Sequence, residues 1–358
     1  MCTGASLISN TSGKYQFPIF CFAGRELEFL RQELRKTRKA AFAQGTKKNL
    51  HTQWKSYIMF CTYFKLVPLP AEKDTLCLYA QFLARSFKSV DTIRNYLSGV
   101  KLMHTLSDTN CPHFGSVELK LSLRGMEKKK KKHTPTQALP ITPDILLMIH
   151  KCLNLHNKFH IVFWALSLVA FYTMSRKSNL VPTSIKSFDP RKQLCREDIT
   201  LSSDCMLVRY KWSKTNQVGK RVHYIPLMEL PGSALCPVNA YRNMVRVIRA
   251  EPKSPAFLVP NKQGYRPMTY QQLQNMLKKV IAIIGLNPAS FSSHSYRRGG
   301  ATTAFRANVP PELIQVQGDW KSDVYKTYLS FNLKDRAMVS SMVGEYAKKC
   351  EAQTLYVK

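Results

Sequence analysis

Acidic residues are scarce in this chain of 358 residues. It has 22 Asp and Glu against 54 Lys and Arg, which leaves a formal net charge of +32. The excess is spread along the chain and is not confined to a tail, so a polyanion is the expected partner. Apolar residues still make up 44% of the sequence, which is enough to build cores and excludes a disordered basic protein.

Closely paired cysteines are also missing. The ten cysteines are scattered without a C-x-x-C pair, which excludes a disulfide framework and a zinc knuckle and fits the cytosol or the nucleus. Cys152, His156 and His160 are spaced four and four, on one helical face, but no fourth zinc ligand accompanies them. We therefore predict neither a metal nor another cofactor.

Long apolar runs and the motifs of several enzyme classes are absent too. The longest run, Ile161 to Met174, has 14 residues, short of the roughly 18–20 that span a bilayer, so it predicts a buried helix and no membrane contact. We see no secretory signal at the N-terminus, no P-loop, no H-E-x-x-H and no glycosidase-like carboxylate pair. With so many cations, phosphate is the expected substrate group, and Arg binds two of its oxygens at once.

The length predicts two domains, since one core rarely organises much more than about 200 residues. We expect a mainly α fold with a flexible arm at 1–24, a helical DNA-binding domain at 25–125, a basic linker at 126–138 and a second domain at 139–358. In the first domain the apolar spacing predicts four or five helices. Their polar faces carry the cations that we predict to contact a duplex backbone, namely Lys47, Lys48, Lys55, Arg94 and Lys101.

Five consecutive lysines, at positions 128–132, lie in the predicted linker, and Pro135 follows them. Such a stretch can neither bury apolar surface nor continue a helix through the proline. One interpretation is a solvated spacer. The other is a nuclear-import signal or a strap across phosphates, which adds three residues to the predicted DNA contacts: Lys128, Lys129 and Lys130.

The second domain should be α-rich with a small antiparallel sheet. Thr142 and Pro143 suit the N-cap and first position of a helix, and a second helix should run from Phe159 to about Ser175. Alternating residues in 206–212 and 221–227 predict a β-hairpin. A capping box at Thr269 starts a further helix, and short helices should begin near Ser292, Pro310 and Ser322.

A cluster of residues suited to phosphate chemistry lies in the last third of the chain. His294 and Arg297 are three apart at a predicted helix N-terminus, so imidazole, guanidinium and helix dipole can converge on one anion. Singly, an H-x-x-R pair is more often an ordinary surface feature. Trp320 and Tyr328 follow, eight residues apart.

At these residues the chain resembles the tyrosine recombinase (phage-integrase-like) family. The family's T-G-x-R-x-S-E-L motif corresponds here to T-M-S-R-K-S-N-L, which places Arg176 after the apolar run. The family's lysine lies in a β-hairpin, where this chain has Lys214. The H-x-x-R box, the His-or-Trp position and the nucleophile correspond to His294, Arg297, Trp320 and Tyr328.

The resemblance implies a SAM-like core-binding domain followed by a catalytic domain. It also implies the roles of the matched residues. Arg176 and Arg297 would hold the oxygens of the scissile phosphate, His294 and Trp320 would donate hydrogen bonds, and Lys214 would protonate the leaving 5′ oxygen. Tyr328 would attack, giving a 3′-phosphotyrosyl DNA without ATP or metal, and His294 would assist proton transfer.

Two positions depart from the family pattern. Asn179 stands where the family usually has an acidic residue, which keeps an acceptor and loses the charge. The interval from Trp320 to Tyr328 is eight residues where many members have nine, and Tyr325 lies nearby. We expect Tyr328 to be the nucleophile on motif position.

The G-D-W-K-S-D-x-Y-x-x-Y pattern looks most like recombinases of DIRS/Ngaro-type retrotransposons or Cryptons, so we expect DNA integration of a mobile element in the nucleus. The stretch from Leu333 to Lys358 follows the nucleophile, and such tails often dock on a neighbouring subunit, which favours a homotetramer on double-stranded DNA. Two alternatives stay open at this point: a domesticated DNA-binding protein that no longer cuts, and a type IB topoisomerase-like relaxing enzyme.

Overall fold

The structure is a computed structural model, and it describes residues 6–9, 16–19, 23–130, 137–213 and 221–329, together with 337, 340–345 and 348. The chain divides into two compact units, residues 1–135 and 136–358. None of the helices within these ranges is both long and apolar enough to cross a membrane.

The described residues of unit 1 form five α-helices. These are α1 (Ala23–Ala40), α2 (Gln44–Phe64), α3 (Lys73–Ser86), α4 (Val90–Leu106) and α5 (Val117–Lys129). Helices α2 to α5 enclose a core that includes Tyr57, Leu76, Tyr79, Ile93 and Val100, each almost fully buried. The apolar spacing of the sequence therefore predicted the helices correctly.

Two segments of unit 1 differ from the expectation. Inside the predicted arm, β1 (Ser6–Ser9) and β2 (Gln16–Ile19) pair as antiparallel strands, which four-residue segments are too short to reveal by alternation. Helix α5 runs into the predicted linker, so Lys128 and Lys129 form its last turn. Cations are favourable there because they face the negative end of the helix dipole.

Unit 2 surrounds the apolar helix α7 (Lys158–Tyr172). Residues Ile161 to Phe171 are all buried, which explains why this helix has apolar residues on every side. Its neighbours in sequence are α6 (Pro143–Cys152), with Thr142 as its N-cap, and the short α8 (Lys177–Leu180). The helices that follow are α9 (Pro237–Val247), α10 (Tyr270–Ile283), α11 (His294–Arg306) and α12 (Pro311–Gln317).

The sheet of unit 2 contains the predicted hairpin and one more strand. Strand β4 (Cys205–Tyr210) pairs with β5 (His223–Met228) on one side and with β3 (Ile199–Leu201) on the other, all antiparallel. Met206, Val208, Ile225 and Leu227 point into the core, which is the alternation that predicted the hairpin. A second hairpin, β6 (Leu258–Asn261) with β7 (Gly264–Pro267), was not predicted. A 3-10 helix, Asp323–Tyr328, follows α12.

A candidate phosphate-binding site in unit 2

The first arginine of the site follows the end of α7. Arg176 is the N-cap of α8, and Thr173 and Ser175 just before it belong to a buried hydroxyl network. The Ser175 Oγ donates to the Tyr210 Oη at 2.5 Å, and that hydroxyl donates to the Thr173 Oγ1 at 3.0 Å. Because Tyr210 belongs to β4, this network joins the end of α7 to the sheet, and burial raises the pKa of Tyr210 to about 12.

The second arginine lies on α11 and joins three segments. Arg297 is 1% exposed; one end of its guanidinium donates to the Met174 carbonyl, and the other donates to the Gly318 carbonyl at 2.8 Å. The first contact fixes the segment before Arg176, and the second fixes the segment before Trp320. A single side chain therefore holds together the parts of the site that are distant in sequence.

Two aromatic rings cover this guanidinium. The Arg297 Cζ lies 3.9 Å from the ring centre of Trp320 and 5.3 Å from that of Tyr328. The rings of Trp320 and Tyr328 are themselves 5.4 Å apart. Among the residues that the structure describes, the buried Trp320 Nε1 and Arg297 Nε have no hydrogen-bond partner. Buried donors of this kind normally have one, so they are suited to meet an acceptor on a ligand.

The nucleophile candidate opens onto a cleft. Tyr328, His294 and Arg298 line a cavity of about 830 Å³ that also includes Ser292 and Thr327. Tyr325, three residues earlier, is 4% exposed and belongs to the hydrophobic cluster around Trp320. The geometry therefore favours Tyr328 over Tyr325 as the residue that can reach a substrate.

The electrostatics of the site favour an anion. Desolvation lowers the pKa of His294, although the residue is exposed at the cleft, and the cations Lys177, Arg297 and Arg176 lower it further. Burial and the nearby Arg176 lower the pKa of Arg297, while Tyr328 and Asp319 raise it. Each of these cations disfavours a positive charge on its neighbours, so a bound phosphate would relieve their repulsion.

Arg176, His294, Arg297, Trp320 and Tyr328 thus come from three separate segments and lie in one region. Lys214 falls outside the described residues. The sequence reasoning missed Asp319, which pairs with Arg176 at 3.5 Å, and Arg298, whose guanidinium donates to the Gln137 Oε1 and to the Thr327 carbonyl. Both directly neighbour a matched residue in the sequence, and that adjacency was the available signal.

Asn179, the departure from the family pattern, uses the part of its side chain that an acid lacks. Its Nδ2 donates to the Trp212 carbonyl at 2.7 Å, and the residue is 5% exposed. This bond ties α8 to the residue just before the hairpin turn. A carboxylate could not make it, because an ionised carboxylate has no hydrogen to donate.

The predicted DNA contacts in unit 1 fall into two groups. Arg94 pairs with Glu127 at 2.6 Å and with Asp91 at 3.2 Å, and the Lys130 Nζ donates to the carbonyls of Ala84 and Phe87. These two cations therefore already have structural partners. The remaining six are exposed on α2, α4 and α5: Lys47, Lys48, Lys55, Lys101, Lys128 and Lys129.

The three residues weighed as zinc ligands do not form a cluster. His160 accepts a hydrogen bond from the Asn154 backbone through Nδ1, and the His156 backbone donates to the Asn154 side chain. Within the described ranges, no group of three or more His, Cys, Asp or Glu could hold a metal ion.

Comparison with known proteins found one curated relative of this chain. No protein-family model matches the chain. The "Integrase/recombinase xerD homolog" of Selenomonas ruminantium is 22% identical over 294 residues, which cover 78% of this chain and 80% of the relative.

Three solved structures share the fold at low sequence identity. The XerH site-specific recombinase bound to difH substrate, in a pre-cleavage complex, has a TM-score of 0.55 and 14% identity, covering 87% of this chain and 83% of its own. A lambda integrase (75–356) dimer bound to a COC′ core site has a TM-score of 0.54 and 14% identity, covering 86% and 95%. The Tn1549 transposon integrase (82–397), in complex with circular intermediate DNA, has a TM-score of 0.50 and 15% identity, covering 77% and 86%.

Proposed function

We propose that the chain is a tyrosine recombinase, as its similarity in sequence and in fold to recombinases and integrases supports, and that it cuts and rejoins DNA strands through a covalent 3′-phosphotyrosyl intermediate. The observation that carries the proposal is the convergence of Arg297, Trp320 and Tyr328 around buried donors that have no partner in the described chain. Cations and N–H groups fixed in a desolvated site stabilise developing charge on phosphate without reorganising.

The reaction forms one bond and breaks another of the same kind. The Tyr328 Oη attacks the scissile phosphorus in line, and the bond from phosphorus to the 5′ oxygen breaks. Arg176 and Arg297 hold the non-bridging oxygens, while the Trp320 Nε1 donates a hydrogen bond to one of them. His294 accepts the phenol proton, and Lys214 gives a proton to the leaving oxygen. Attack by the 5′-hydroxyl of another strand reverses these steps, so no external energy is needed.

Covalent capture tests this function. The substrates are duplexes from a pool of random sequences, each nicked next to a candidate cleavage position. Cleavage there releases a short fragment that carries the 5′-hydroxyl. Because this fragment diffuses away, the reaction cannot reverse and the protein stays covalently bound to DNA. We expect an adduct that withstands denaturation and carries its nucleotide on Tyr328 by mass spectrometry. DNA binding without an adduct would instead indicate a binding protein, and plasmid relaxation by a monomer without a defined site would indicate a topoisomerase-like enzyme.

The biological setting is integration of a mobile element in the nucleus, supported by the lysine run that begins at Lys128 and by the retroelement-like motif around Trp320. The working assembly is a homotetramer on DNA. Exchange between two duplexes cuts four strands, and each chain supplies one Tyr328. Mass measurement of the complex with two target duplexes should give four chains, and a lysine-run deletion should abolish nuclear accumulation.

The pH dependence of cleavage should reveal His294 acting as a neutral base. Because its pKa is lowered, the imidazole stays neutral at pH 7 and gains its proton only below the ordinary value of about 6.5. We expect the second-order rate constant of adduct formation, which reports the free enzyme, to stay constant as pH falls to 6.5 and to decrease below it.

Two variants control this pH profile. In His294→Gln the decrease on the acid side should disappear. In His160→Gln it should remain, although burial also lowers the pKa of His160. A wild-type rate that instead rises as the pH falls from 7 to 6 would show that His294 acts as an acid and would contradict the assignment.

The exposed lysines of α2 should govern the salt dependence of DNA binding. Each phosphate contact contributes about −0.9 to the slope of log K against log salt concentration. Replacing Lys47, Lys48 and Lys55 together with Gln should therefore make the slope shallower by about 2.7. Lys130→Gln is the matched control, because its ammonium already binds two carbonyls, so this change should lower stability and leave the slope intact. An unchanged slope in the triple variant would rule out these contacts.

A further inference from the structure

A carboxylate lies among the arginines of the site. The Asp319 Oδ2 is 3.5 Å from the Arg176 Nη1, and its Oδ1 is 3.2 Å from the Arg221 Nη2. The side chains of Arg176 and Asp319 are each only 20% exposed. Partial shielding from water makes such a pair stronger than an exposed surface ion pair.

The position where the family pattern has its acid cannot supply this charge. Asn179 is uncharged, and its amide is engaged with the Trp212 carbonyl. Asp319 lies 140 residues later in the sequence, yet it contacts the same arginine. Position 179 is therefore uncharged, while position 319 carries a carboxylate 3.5 Å from Arg176.

Without a carboxylate the two guanidiniums would repel one another. Arg176 disfavours the charged form of the buried Arg297, and Asp319 favours it. Arg297 is fixed by the carbonyls of Met174 and Gly318. Arg176 is less buried, and among the described residues its guanidinium forms an ion pair with Asp319.

We propose that Asp319 is a positioning residue that orients Arg176, so that Arg176 and Arg297 can grip the same phosphate, and that it replaces the acid absent at position 179. This inference rests on the proposed strand-cutting function. Asp319 occupies one edge of the Arg176 guanidinium, and a guanidinium has five N–H groups, so the others remain able to face the phosphate.

The backbone conformation at position 319 suits asparagine as well as aspartate, so Asp319→Asn should not strain the chain. Asp319 has a φ of 51°, in the left-handed region that Asn and Asp tolerate better than other side chains. The variant therefore removes the charge and keeps both shape and backbone. Asp108→Asn is a matched control, because Asp108 has a φ of 52° and pairs with Arg38 at 3.2 Å in unit 1.

The first measurement is the rate of adduct formation at saturating DNA. We expect Asp319→Asn to form the Tyr328 adduct about tenfold more slowly, which corresponds to about 1.4 kcal/mol of activation free energy. Asp108→Asn should react at the unmutated rate. If Asp319 were instead a plug that competes with DNA phosphate, Asp319→Asn would react faster, and that result would overturn the proposal.

The second measurement does not depend on chemistry. In the Tyr328→Phe background, the affinity for the duplex that binds most tightly is compared with that for the same duplex carrying one neutral methylphosphonate, which is placed at successive positions of the bound site. Asp319→Asn should reduce this preference for phosphate about threefold, which corresponds to about 0.65 kcal/mol of binding free energy. An unchanged preference overturns the proposal. If the unmutated protein forms no adduct, the proposed function fails on its own, and this ratio still decides the role of Asp319.

Discussion

Replacing Tyr328 with phenylalanine should abolish the covalent protein–DNA adduct while leaving DNA affinity unchanged. Removing a nucleophile from an assembled catalytic site commonly costs about 10⁴-fold or more in rate, which places the residual reaction below detection. The ring remains, so its packing on Trp320 at 5.4 Å is preserved. Gel analysis of the nicked duplex, together with binding measured on an intact one, separates loss of chemistry from loss of binding.

Tyr325→Phe is the internal control for this experiment. Tyr325 lies three residues from Tyr328 on the same 3-10 helix and is buried against Trp320. Its variant therefore removes a hydroxyl from the same helix and the same hydrophobic cluster. We expect it to retain most of the adduct, because its side chain does not line the cleft. An adduct that survives in Tyr328→Phe and vanishes in Tyr325→Phe would reverse the assignment of the nucleophile.

Arg297→Lys should lower the rate of strand cleavage by about 10² to 10³-fold, the usual effect of removing one donor that stabilises transition-state charge. Lysine keeps the charge and loses the planar fork, which here bridges the carbonyls of Met174 and Gly318. Losing buried hydrogen bonds should also reduce the free energy of unfolding by about 1–3 kcal/mol. Single-turnover cleavage and urea denaturation measure the two effects.

A second buried arginine shows whether the lost activity reflects stability alone. Arg196 is 9% exposed, donates to the Ile248 carbonyl at 3.0 Å and lies over the Tyr241 ring. Arg196→Lys should therefore destabilise the protein to a similar degree and leave cleavage nearly unchanged. Equal losses of cleavage in both variants would mean that Arg297 acts only through folding.

Periodicity in the sequence was sufficient to predict α2 to α5, α7 and one hairpin, but α9 was not predicted. The helical spacing of α2 to α5 and the alternation of Met206 and Val208 both reflect burial on one face. Elements without such a pattern were missed. Strands β6 and β7 have four residues each and are mostly exposed or half-buried, so their alternation carries little signal. The lysine run did not predict that α5 continues, because the dipole and the carbonyls that bind Lys130 are properties of the folded chain.

The match to the family's sequence motifs predicted more of the site than residue spacing and chemistry did by themselves. His294 and Arg297 lie on one helix, and their spacing suffices to place them together. Arg176 lies two residues after Met174, whose carbonyl accepts a hydrogen bond from Arg297, 123 positions later in the sequence. No local pattern reveals such a contact. The partnership of Asp319 with Arg176 was invisible for the same reason. The segment after α7 and the residues of α11 are far apart in the sequence, and they meet because the two helices pack together.

The packing of α11 has a consequence for attempts to retarget this protein. A methyl group at Gly299 would collide with the Ile141 carbonyl oxygen, and one at Gly300 would collide with the Phe171 carbonyl oxygen. The helix is thus held against main chain on two sides, and no rotamer change can make room for a larger residue there. Mutant libraries should therefore leave both glycines fixed and place their diversity at solvent-facing positions elsewhere in the chain.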